Sequence, residues 1–506
     1  MVTLNLYENP SYVLANYGAR IKVPMTDKQF LEKEISQWIC SIERKQQLKS
    51  KEYYEDRHDI LSRKILFLDE NGKEVENIHA PNNKIIDNKF AKAVDQKTNY
   101  FCGLPFVFDT KDKKYAEHLN KLFGAKMRRK IKLAARQSII GGKVWAFPYY
   151  KNNEFTIALW QAHEVLPFWA DSEHTILDCA VHLYLMYEYD ENGKQNTVVK
   201  IEVVHGGGLD RFIWNGSSLE KDNDAPSGAY VSVTNKDTGE NKPYNWDRIP
   251  LVCFKANETE TPLLNKVKCL QDALNLLLSI LVNKSEEDIH NTIIVIENYD
   301  GEDTTKLRRK LFERGVVKVR SIDGVRGGID TLKIEVNAEN IKTVIEILKE
   351  AIIENANSYD AKKDKQGGAP NELNIRSMYS DIDLANNDMI SEFQAGFEDL
   401  LYFVNAHLKN TNKGDFSNSQ VTVVFNPDVL VNESETIENC SKSRGLISDE
   451  TLIKMHPWVD DAEEELKRIK KEREEAMKQQ DPYRNAFENQ KKTAEGNEGG
   501  EPVNEE

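Results

Sequence analysis

The chain has 506 residues, a formal net charge of −15 and a mean hydropathy of −0.61, and 30 % of its residues are charged. This length predicts two to four domains with a large core, and the negative charge argues against a protein whose whole surface binds nucleic acid, because such surfaces are basic. The six cysteines form no CxxC pair, so the sequence predicts reduced thiols and neither a disulfide framework nor a zinc site.

The first part of the chain is predicted to be helical after an N-terminal arm at 1–24. Apolar spacing predicts a helix from Thr26 or Asp27 to about Lys49, and another from Asn83 to the Gly-then-Pro stop at 102–105. Two shorter helices follow, at 113–123 and 126–140. The last one is basic, which fits either a contact with phosphate or a solvated face, and we favour the solvated face; its basic residues are Lys126, Arg128, Arg129, Lys130, Lys132 and Arg136.

From Lys143 onward the pattern changes to the two-residue period of strands. A hairpin is predicted over 143–160, with its turn at 151–154. Further strands, separated by Gly- and Asn-containing turns, are predicted at 180–189, 196–205, 211–214, 229–233 and 248–254. These residues therefore indicate an antiparallel β region of moderate size.

The centre of the chain is predicted to form a helix, an insert, a second helix and a loop. Apolar residues at the helical period predict long helices over Leu263–Asn291 and Asn337–Tyr359, which flank a short β-like insert at 292–336. A polar, Gly-rich loop follows. Two helices of matched length predict an antiparallel pair with the insert at its tip, although an ordinary helical hairpin in an α/β enzyme has the same pattern.

The C-terminal part is predicted to contain a helix from about Asp381 to Leu408 and a strand at 421–425. Short helices are predicted at 433–445 and 448–455, and a highly charged helix at 460–479. The residues from 481 onward are rich in Glu, Asn and Gly, which is typical of a disordered acidic tail. The fold class predicted from all these elements is α+β.

We find no motif that indicates catalysis. The phosphate-binding, dinucleotide-binding and hydrolase signatures GxxxxGK[ST], GxGxxG and GxSxG are absent. The residues Asp171, Glu173, His174 and Asp178 could hold a metal, but their spacing fits no familiar ligand set. A calcium loop at Asp381–Glu392 is rejected, because Asn386 occupies the place that needs Gly. We therefore predict no catalytic residue, metal or cofactor, and no enzyme activity.

Three segments carry a resemblance to a known family. They are Asn83–Pro105, with its Tyr100-x-x-Gly103-x-Pro105 ending; the strand at 248–254 with the helix at 262–288; and 293–359 with its Gly-rich sequel. In this order and spacing the chain resembles, over roughly residues 25–430, the portal proteins of tailed bacteriophages. The similar type is that of long-tailed phages of Gram-positive hosts.

The resemblance implies a portal fold and a role for each segment. Residues 25–262 and 375–430 would form an α/β wing, and 263–291 and 337–359 the antiparallel stem helices. Residues 292–336 would form a small β-containing clip, 360–374 a tunnel loop and 431–480 a helical crown, followed by the tail at 481–506. The assembly implied is a homo-oligomeric ring, usually of twelve subunits, at one vertex of the capsid.

The resemblance also implies partners. Double-stranded DNA would be packaged and later ejected through the central channel without specific recognition. The clip would dock the terminase large subunit first and a head–tail adaptor later, and the wing would contact the major capsid and scaffolding proteins. The protein would belong to the virion, and to the host cytoplasm during assembly, with no membrane contact.

Candidate site residues follow from these assignments. DNA contact is implied for Lys362, Lys363, Lys365, Gln366, Gly367 and Gly368, although the family often has Ser-Gly where this chain has Gly367-Gly368. Stem residues that would line the channel are Lys342, Glu346, Lys349, Glu350 and Glu354. In the clip, partner docking and an exposed helix face are equally compatible with Arg308, Arg309 and Arg314.

Two other functions remain open from the sequence. One is a nucleic-acid-processing enzyme with a metal site around Asp171–Asp178. The other is a minor head or scaffold-like interaction protein without a channel. We expect ring formation to separate the portal function from both, because neither alternative requires a ring with a central opening.

Overall fold

The computed structural model describes residues 28–68, 72–77, 80–189, 193–234, 241–290, 293–296, 329–332, 338–359, 372–426, 433–456, 458–459 and 462–480. The chain divides into two compact units, formed by residues 1–364 with 379–428 and by residues 365–378 with 429–506. Helices and strands are mixed, as the predicted α+β class requires. No helix among the described residues is both long enough and apolar enough to cross a membrane.

The first described helices are α1 (Lys28–Ile39) and α2 (Ile42–Tyr54), where the sequence predicted one continuous helix. The chain breaks between them because Ser41 adopts an extended conformation and caps α2. Its hydroxyl accepts a hydrogen bond from the backbone N–H of Arg44 at 3.2 Å, which satisfies a donor that the first turn leaves free.

The main core lies between helices and a three-stranded sheet. The helices are α3 (Lys89–Phe101), α4 (Lys113–Leu122) and α5 (Ala125–Gly141). The strands, labelled in chain order with those below, are β4 (Lys143–Lys151), β5 (Glu154–Gln161) and β13 (Val252–Lys255), arranged β13-β4-β5. Helix α8 (Glu372–Asn410) contributes buried rings to this core, namely Phe393 and Phe397. The predicted hairpin over 143–160 is confirmed.

A five-stranded antiparallel sheet forms beside this core, in the order β10-β9-β8-β7-β6. Its strands are β6 (Val165–Trp169), β7 (Leu177–Tyr189), β8 (Gln195–His205), β9 (Gly208–Trp214) and β10 (Leu219–Lys221). Helix α1 packs on it through Leu31, Ile35 and Trp38, and a second apolar cluster around Trp145 and Trp160 includes residues of both sheets.

Four two-stranded pairs complete the described strands. They are β1 (Leu66–Leu68) with β2 (Glu74–Glu76), β3 (Val107–Asp109) with β16 (Thr422–Val424), β11 (Val231–Thr234) with β12 (Asn241–Tyr244), and β14 (Ile293–Ile296) with β15 (Ile329–Leu332). The last pair lies within the insert that the sequence predicted to be β-like.

The second unit contains the helices α9 (Glu433–Lys442), α10 (Asp449–Met455) and α11 (Ala462–Gln480). They surround an open cavity of about 590 Å³ whose lining includes Leu452, Ile453 and Ile469. No described residue of this unit is fully buried, so its apolar side chains remain partly in contact with solvent.

A largely buried carboxylate fixes the chain just before the long helix α6 (Leu264–His290). Glu260 has a φ of +55° and pairs with Lys143 at 2.7 Å, Lys255 at 2.9 Å and His174 at 3.0 Å. The backbone of Gly142 approaches so closely that a Cβ there would lie 2.0 Å from the Glu260 carbonyl oxygen. Glycine is therefore required at position 142 for this contact.

The segment 83–88 forms neither helix nor strand, whereas the sequence predicted a helix starting at Asn83. Helix α3 begins only at Lys89, where the Asn88 side chain accepts the Ala91 N–H at 2.8 Å. The prediction was wrong because the backbone N–H groups of this segment bind side chains of α6, about two hundred residues later in the chain, and not helical carbonyls. We call residues 83–88 the strap.

Four polar side chains of α6, each four residues after the previous one, form a ladder along the strap. The N–H of Asn83 donates to Asn283 at 2.7 Å, that of Ile85 to Ser279 at 2.9 Å and that of Asp87 to Asn275 at 3.1 Å. Gln271 accepts the N–H of Lys89 at 3.0 Å and donates to the Asp87 carbonyl at 2.9 Å. All four ladder side chains are buried. Each bond therefore satisfies a backbone group that water does not reach.

We expect Ser279→Ala to lower the free energy of unfolding by about 1–3 kcal/mol, because the change leaves the Ile85 N–H buried without an acceptor. The control is Ser285→Ala on the same helix, whose exposed hydroxyl donates only to the Leu281 carbonyl of its own helix at 3.0 Å. That change is expected to cost less than about 0.5 kcal/mol. Urea unfolding measures both; equal effects would contradict a stabilising role for the ladder.

We expect Glu260→Gln to destabilise the protein at pH 7 by about 3 kcal/mol, because buried Lys143 would keep only Glu43, at 3.2 Å, as an anionic partner and Lys255 would lose its ion pair. Burial alone would raise the pKa of Glu260, but its bonds with His174 and Lys143 outweigh burial and hold that pKa well below the ordinary 4.5. A depressed folded-state pKa stabilises the fold above pH 4.5 and this contribution is lost as the pH falls. Between pH 5 and pH 3 the wild type should therefore lose more stability in urea than the variant; parallel losses would contradict the assignment.

Candidate functional site

The candidate site is the pair formed by α6 and α7 (Ala338–Asn355). The two helices share one apolar core that includes Leu274, Ile345 and Ile352. Asp87 of the strap contacts both helices, so Asn275 of α6 and Lys349 of α7 lie near each other along the pair. The Asp87 N–H donates to Asn275 and its carboxylate lies 3.6 Å from the Lys349 Nζ. Lys97 of α3 marks a second common position, because it bonds to carbonyls at the end of α7 and lies close enough to Lys266, at the start of α6, to feel its charge. The helices therefore run antiparallel.

Lys97 and its neighbour Gln96 hold the C-terminal end of α7. The Lys97 ammonium donates to the carbonyls of Ala356 at 3.1 Å and Asn357 at 3.3 Å. Burial, followed by the nearby charge of Lys266, lowers the pKa of Lys97 to about 8. Gln96 donates to the Tyr359 carbonyl at 3.1 Å and accepts the Ser358 hydroxyl. The last described residues before the predicted loop are thus fixed to α3.

Helix α6 has three faces. One carries the apolar core, one carries the ladder, and the third is an apolar row that solvent reaches. We call this row the α6 stripe: Cys269, Ala273, Leu276 and Ile280. Leu276 is 39 % exposed. An apolar row of this kind, outside the core and the ladder, indicates a surface for another molecule.

Helix α7 also has an apolar row outside its core. Val344 is 43 % exposed and Ile347 is 56 % exposed. With Ala351 they form the α7 stripe, at the helical spacing of three and four residues. Core positions on this helix, such as Ile345 and Ile352, pack inside the subunit and are not available to a neighbour.

The predicted channel-lining residues lie on the remaining face of α7. Lys342, Glu346, Glu350 and Glu354 are exposed and form what we call the acidic face, with three carboxylates and one ammonium. Lys349 differs, because it is half-buried and paired with Asp87 of the strap. This face and the α7 stripe are adjacent, so one helix presents charge and apolar surface side by side.

The other predicted site residues lie outside the described part of the chain. These are the loop residues Lys362, Lys363, Lys365, Gln366, Gly367 and Gly368 and the insert residues Arg308, Arg309 and Arg314. Helix α8 begins at Glu372, within the loop predicted for 360–374.

The alternative metal cluster is not brought together. The Asp171 carboxylate accepts the N–H groups of Thr175 at 3.0 Å and Ile176 at 2.8 Å, so it closes its own turn. His174 turns away to Glu260 and stacks on Trp169. Within the described ranges, no group of three His, Cys, Asp or Glu residues is placed to hold a metal ion. Asp381, Asp383 and Glu392 lie on the continuous helix α8.

The basic helix α5 is largely engaged within its own subunit. Arg128 donates to the Phe123 carbonyl at 3.0 Å, Lys130 donates to the Thr156 hydroxyl at 2.8 Å, and Arg136 lies 3.4 Å from Asp95. Lys126 and Arg129 are exposed. These contacts favour the solvated-face interpretation over a dedicated phosphate site.

Sequence reasoning missed the ladder and the Lys97 contact. The ladder had a visible signal, since Gln271, Asn275, Ser279 and Asn283 recur every four residues within an apolar helix. Polar residues at that spacing inside a buried segment require partners, although the sequence does not say which backbone supplies them. Lys97 had no comparable signal, because a single lysine on a helix is ordinary.

Comparison with known proteins gives two relatives of similar length. The chain is 26 % identical over 436 residues to a portal protein of Bacillus phage SPP1, covering 84 % of this chain and 83 % of the relative. It is 25 % identical over 456 residues to a portal protein of Clostridium phage phiCD119, covering 87 % of this chain and 96 % of the relative.

One solved structure, titled "Virion of native gene transfer agent (GTA) particle", aligns with 71 % of this chain and 87 % of its own at 10 % identity. Its TM-score of 0.36 is too low to carry an argument. The family model described as "Phage portal protein, SPP1 Gp6-like" matches residues 40–479. Because this match covers most of the chain, the protein belongs to the SPP1 Gp6-like family of phage portal proteins.

Proposed function

We propose that the chain forms a ring at one vertex of a phage capsid and that the ring is the channel for DNA packaging and ejection. The observation that carries this proposal is the family match across residues 40–479. The α6–α7 pair supports it, because a helix pair with apolar rows outside its own core needs neighbours to cover them. A ring of about twelve copies, as the resemblance implies, would supply a neighbour on each side.

The acidic face of α7 suits a channel lining. Carboxylates of Glu346, Glu350 and Glu354 repel the DNA phosphates, while Lys342 offsets part of that repulsion. Such a lining lets the duplex slide without binding at one register, whereas a basic lining would hold it through many phosphate contacts. The lysines at 362, 363 and 365 would then supply brief phosphate contacts at a single level.

The remaining segments take the roles that the resemblance implies. The insert at 292–336, with Arg308, Arg309 and Arg314, would dock the terminase large subunit and later a head–tail adaptor. The wing, residues 25–262 and 375–430, would contact the major capsid and scaffolding proteins. The crown helices of 431–480 would face the capsid interior. The protein would be a virion component assembled in the host cytoplasm.

We expect no catalysis, metal or cofactor in this role. Moving DNA through a ring requires a shaped and charged passage, and the chemical energy would come from the terminase. The separation of Asp171 from His174, each engaged with its own partners, gives the enzyme alternative no specific support.

We expect the purified chain to form rings with a central opening, because the exposed stripes of α6 and α7 are stabilised only when neighbours cover them. Negative-stain electron microscopy combined with light scattering measures this, with a mass near twelve subunits expected. Assembly should be repeated with the cognate scaffolding protein as a positive condition. A protein that stays monomeric with scaffold and forms no oligomer in virions would contradict the proposal.

We expect Lys362→Ala, Lys363→Ala and Lys365→Ala together to reduce packaged DNA at least several-fold while rings still assemble, because the phosphate contacts at that level would be lost. Protection of DNA from nuclease in a packaging reaction measures the first quantity and electron microscopy the second. Lys111→Ala, Lys113→Ala and Lys114→Ala remove the same charge elsewhere and serve as the control. Unchanged packaging in the loop variant would remove the loop from the proposed mechanism.

A further inference from the structure

We propose that the N-terminal arm docks, through Val2–Tyr7, as an additional strand against the far end of β7 in its own subunit. The surface that it would cover is the end of the β7–β8 hairpin, residues 185–189 and 195–198, which we call the ribbon. The arm itself lies outside the described residues. Its docking requires no ring, so it goes beyond the proposed function and can be tested apart from it.

The ribbon extends beyond both neighbouring strands of the sheet. Strand β6 pairs with β7 only as far as His182, and β9 pairs with β8 only as far as Val199, whereas β7 and β8 pair with each other to Tyr189. Beyond His182, no described strand therefore pairs with β7 on the side of β6. A two-stranded hairpin alone is only marginally stable in water, and an unpaired edge is a template for another strand.

The ribbon also exposes hydrophobic side chains. Three of them lie, by the two-residue period of a strand, on the face on which α1 packs, in line with the buried residues Cys179, Val181 and Leu183. This face of the sheet thus continues past the part that α1 covers. The exposed hydrophobic residues at the end of β7 are Leu185, Met186, Tyr187 and Tyr189, of which Tyr187 is 61 % and Tyr189 is 68 % exposed.

The free edge lacks the charges that commonly protect such edges. The one charged residue among 185–189 is Glu188, and its carboxylate is paired with the ammonium of Lys200 at 3.3 Å. Protection of an edge strand usually comes from unpaired lysines, prolines or a bulge. An exposed edge with hydrophobic side chains and no such device indicates a surface that another strand covers.

The arm supplies a strand of matching length. A strand added beside β7 places alternate side chains on the same face, so the apolar residues of the arm would lie beside Tyr187, with Leu4 opposite it at the middle of the contact. The Asn9-Pro10 pair ends the alternation with a turn signal. The alternating stretch itself consists of Val2, Thr3, Leu4, Asn5 and Leu6.

Helix α1 holds the end of the arm close to the ribbon. The Glu32 carboxylate accepts the N–H of Leu219 at 2.8 Å, and Leu219 lies in one register row with Leu185, three strands away. Strands about 4.8 Å apart make this row about 15 Å long. Residues 8–27 can span at most roughly 70 Å, which is ample. The covalent tether therefore favours the arm over a separate molecule, which loses translational freedom on binding.

Hydrogen exchange measured by mass spectrometry on the full chain tests the docking. We expect the amides of 185–189 to exchange at least ten-fold faster in Leu4→Asp/Leu6→Asp than in the parent, because charged side chains oppose burial against the ribbon. The control is Thr3→Asp/Asn5→Asp, which adds the same charge on the other side of the arm and should stay within about two-fold of the parent.

Deletion of residues 2–7 should reproduce the faster exchange of the Leu4→Asp/Leu6→Asp variant. The amides of 201–204, inside the same sheet, should stay protected in every variant and show that the fold is intact. Equal exchange at 185–189 in the parent and in the deletion variant would overturn the docked arm.

Disulfide trapping determines which copy supplies the arm. With Cys40→Ser and Cys269→Ser removing the exposed native thiols, Leu4→Cys/Tyr187→Cys should form a link within one chain on mild oxidation. We expect at least five times more link than in Asn5→Cys/Tyr187→Cys, whose thiols would lie on opposite faces. Denaturing gels without reductant separate linked monomers from linked dimers. Links found in dimers would overturn the assignment to the same copy, and no excess over the control would overturn the position of Leu4.

The outcomes also separate the docked arm from the ring. Rings in which 185–189 is unprotected would overturn the docked arm and leave the portal proposal standing. A protected ribbon in a chain that forms no ring, even with its scaffolding protein, would do the reverse. Protection that appears only after the scaffolding protein is added would assign the ribbon to that protein and overturn the arm as its occupant.

Discussion

The hydrogen bonds between α6 and the strap determine how the rest of the first unit is arranged. Four buried side chains of one helix satisfy the backbone of the strap, and this uses one entire face of α6. A second face packs with α7. The third is left for contacts outside the subunit, so the position of the α6 stripe follows from the ladder. The buried polar side chains of the ladder thereby determine which apolar side chains of α6 are left at the surface.

Much of the fold could be predicted from periodicity. The long helices and the 143–160 hairpin have clear local signals, and the structure contains them. The start at Asn83 could not be predicted, because the group that accepts the N–H of Ile85 is the Ser279 hydroxyl, from a distant part of the chain. The break at Ser41 had a local cause in its capping hydroxyl, but the apolar spacing continued across it and concealed the signal.

The site was predictable in outline only. The resemblance implied five charged channel-lining residues on α7, and four of the five are exposed. The apolar spacing did not separate two rows on α7: Ile345 and Ile352 pack against the subunit's own core, whereas a different row, with Val344 and Ile347, is exposed. Helical spacing shows that a helix has apolar sides, but which of them faces a neighbour depends on the packing of distant segments.

The ladder joins two repeats that are similar but unequal. Two residues of extended chain advance about 6.6 Å, and four residues of helix advance about 6.0 Å. The difference is about 0.6 Å per step, so small local adjustments let successive N–H groups of the strap reach successive ladder side chains. A shift of α6 along its axis by less than one step would break all of these bonds at once, so the ladder opposes axial movement of the helix.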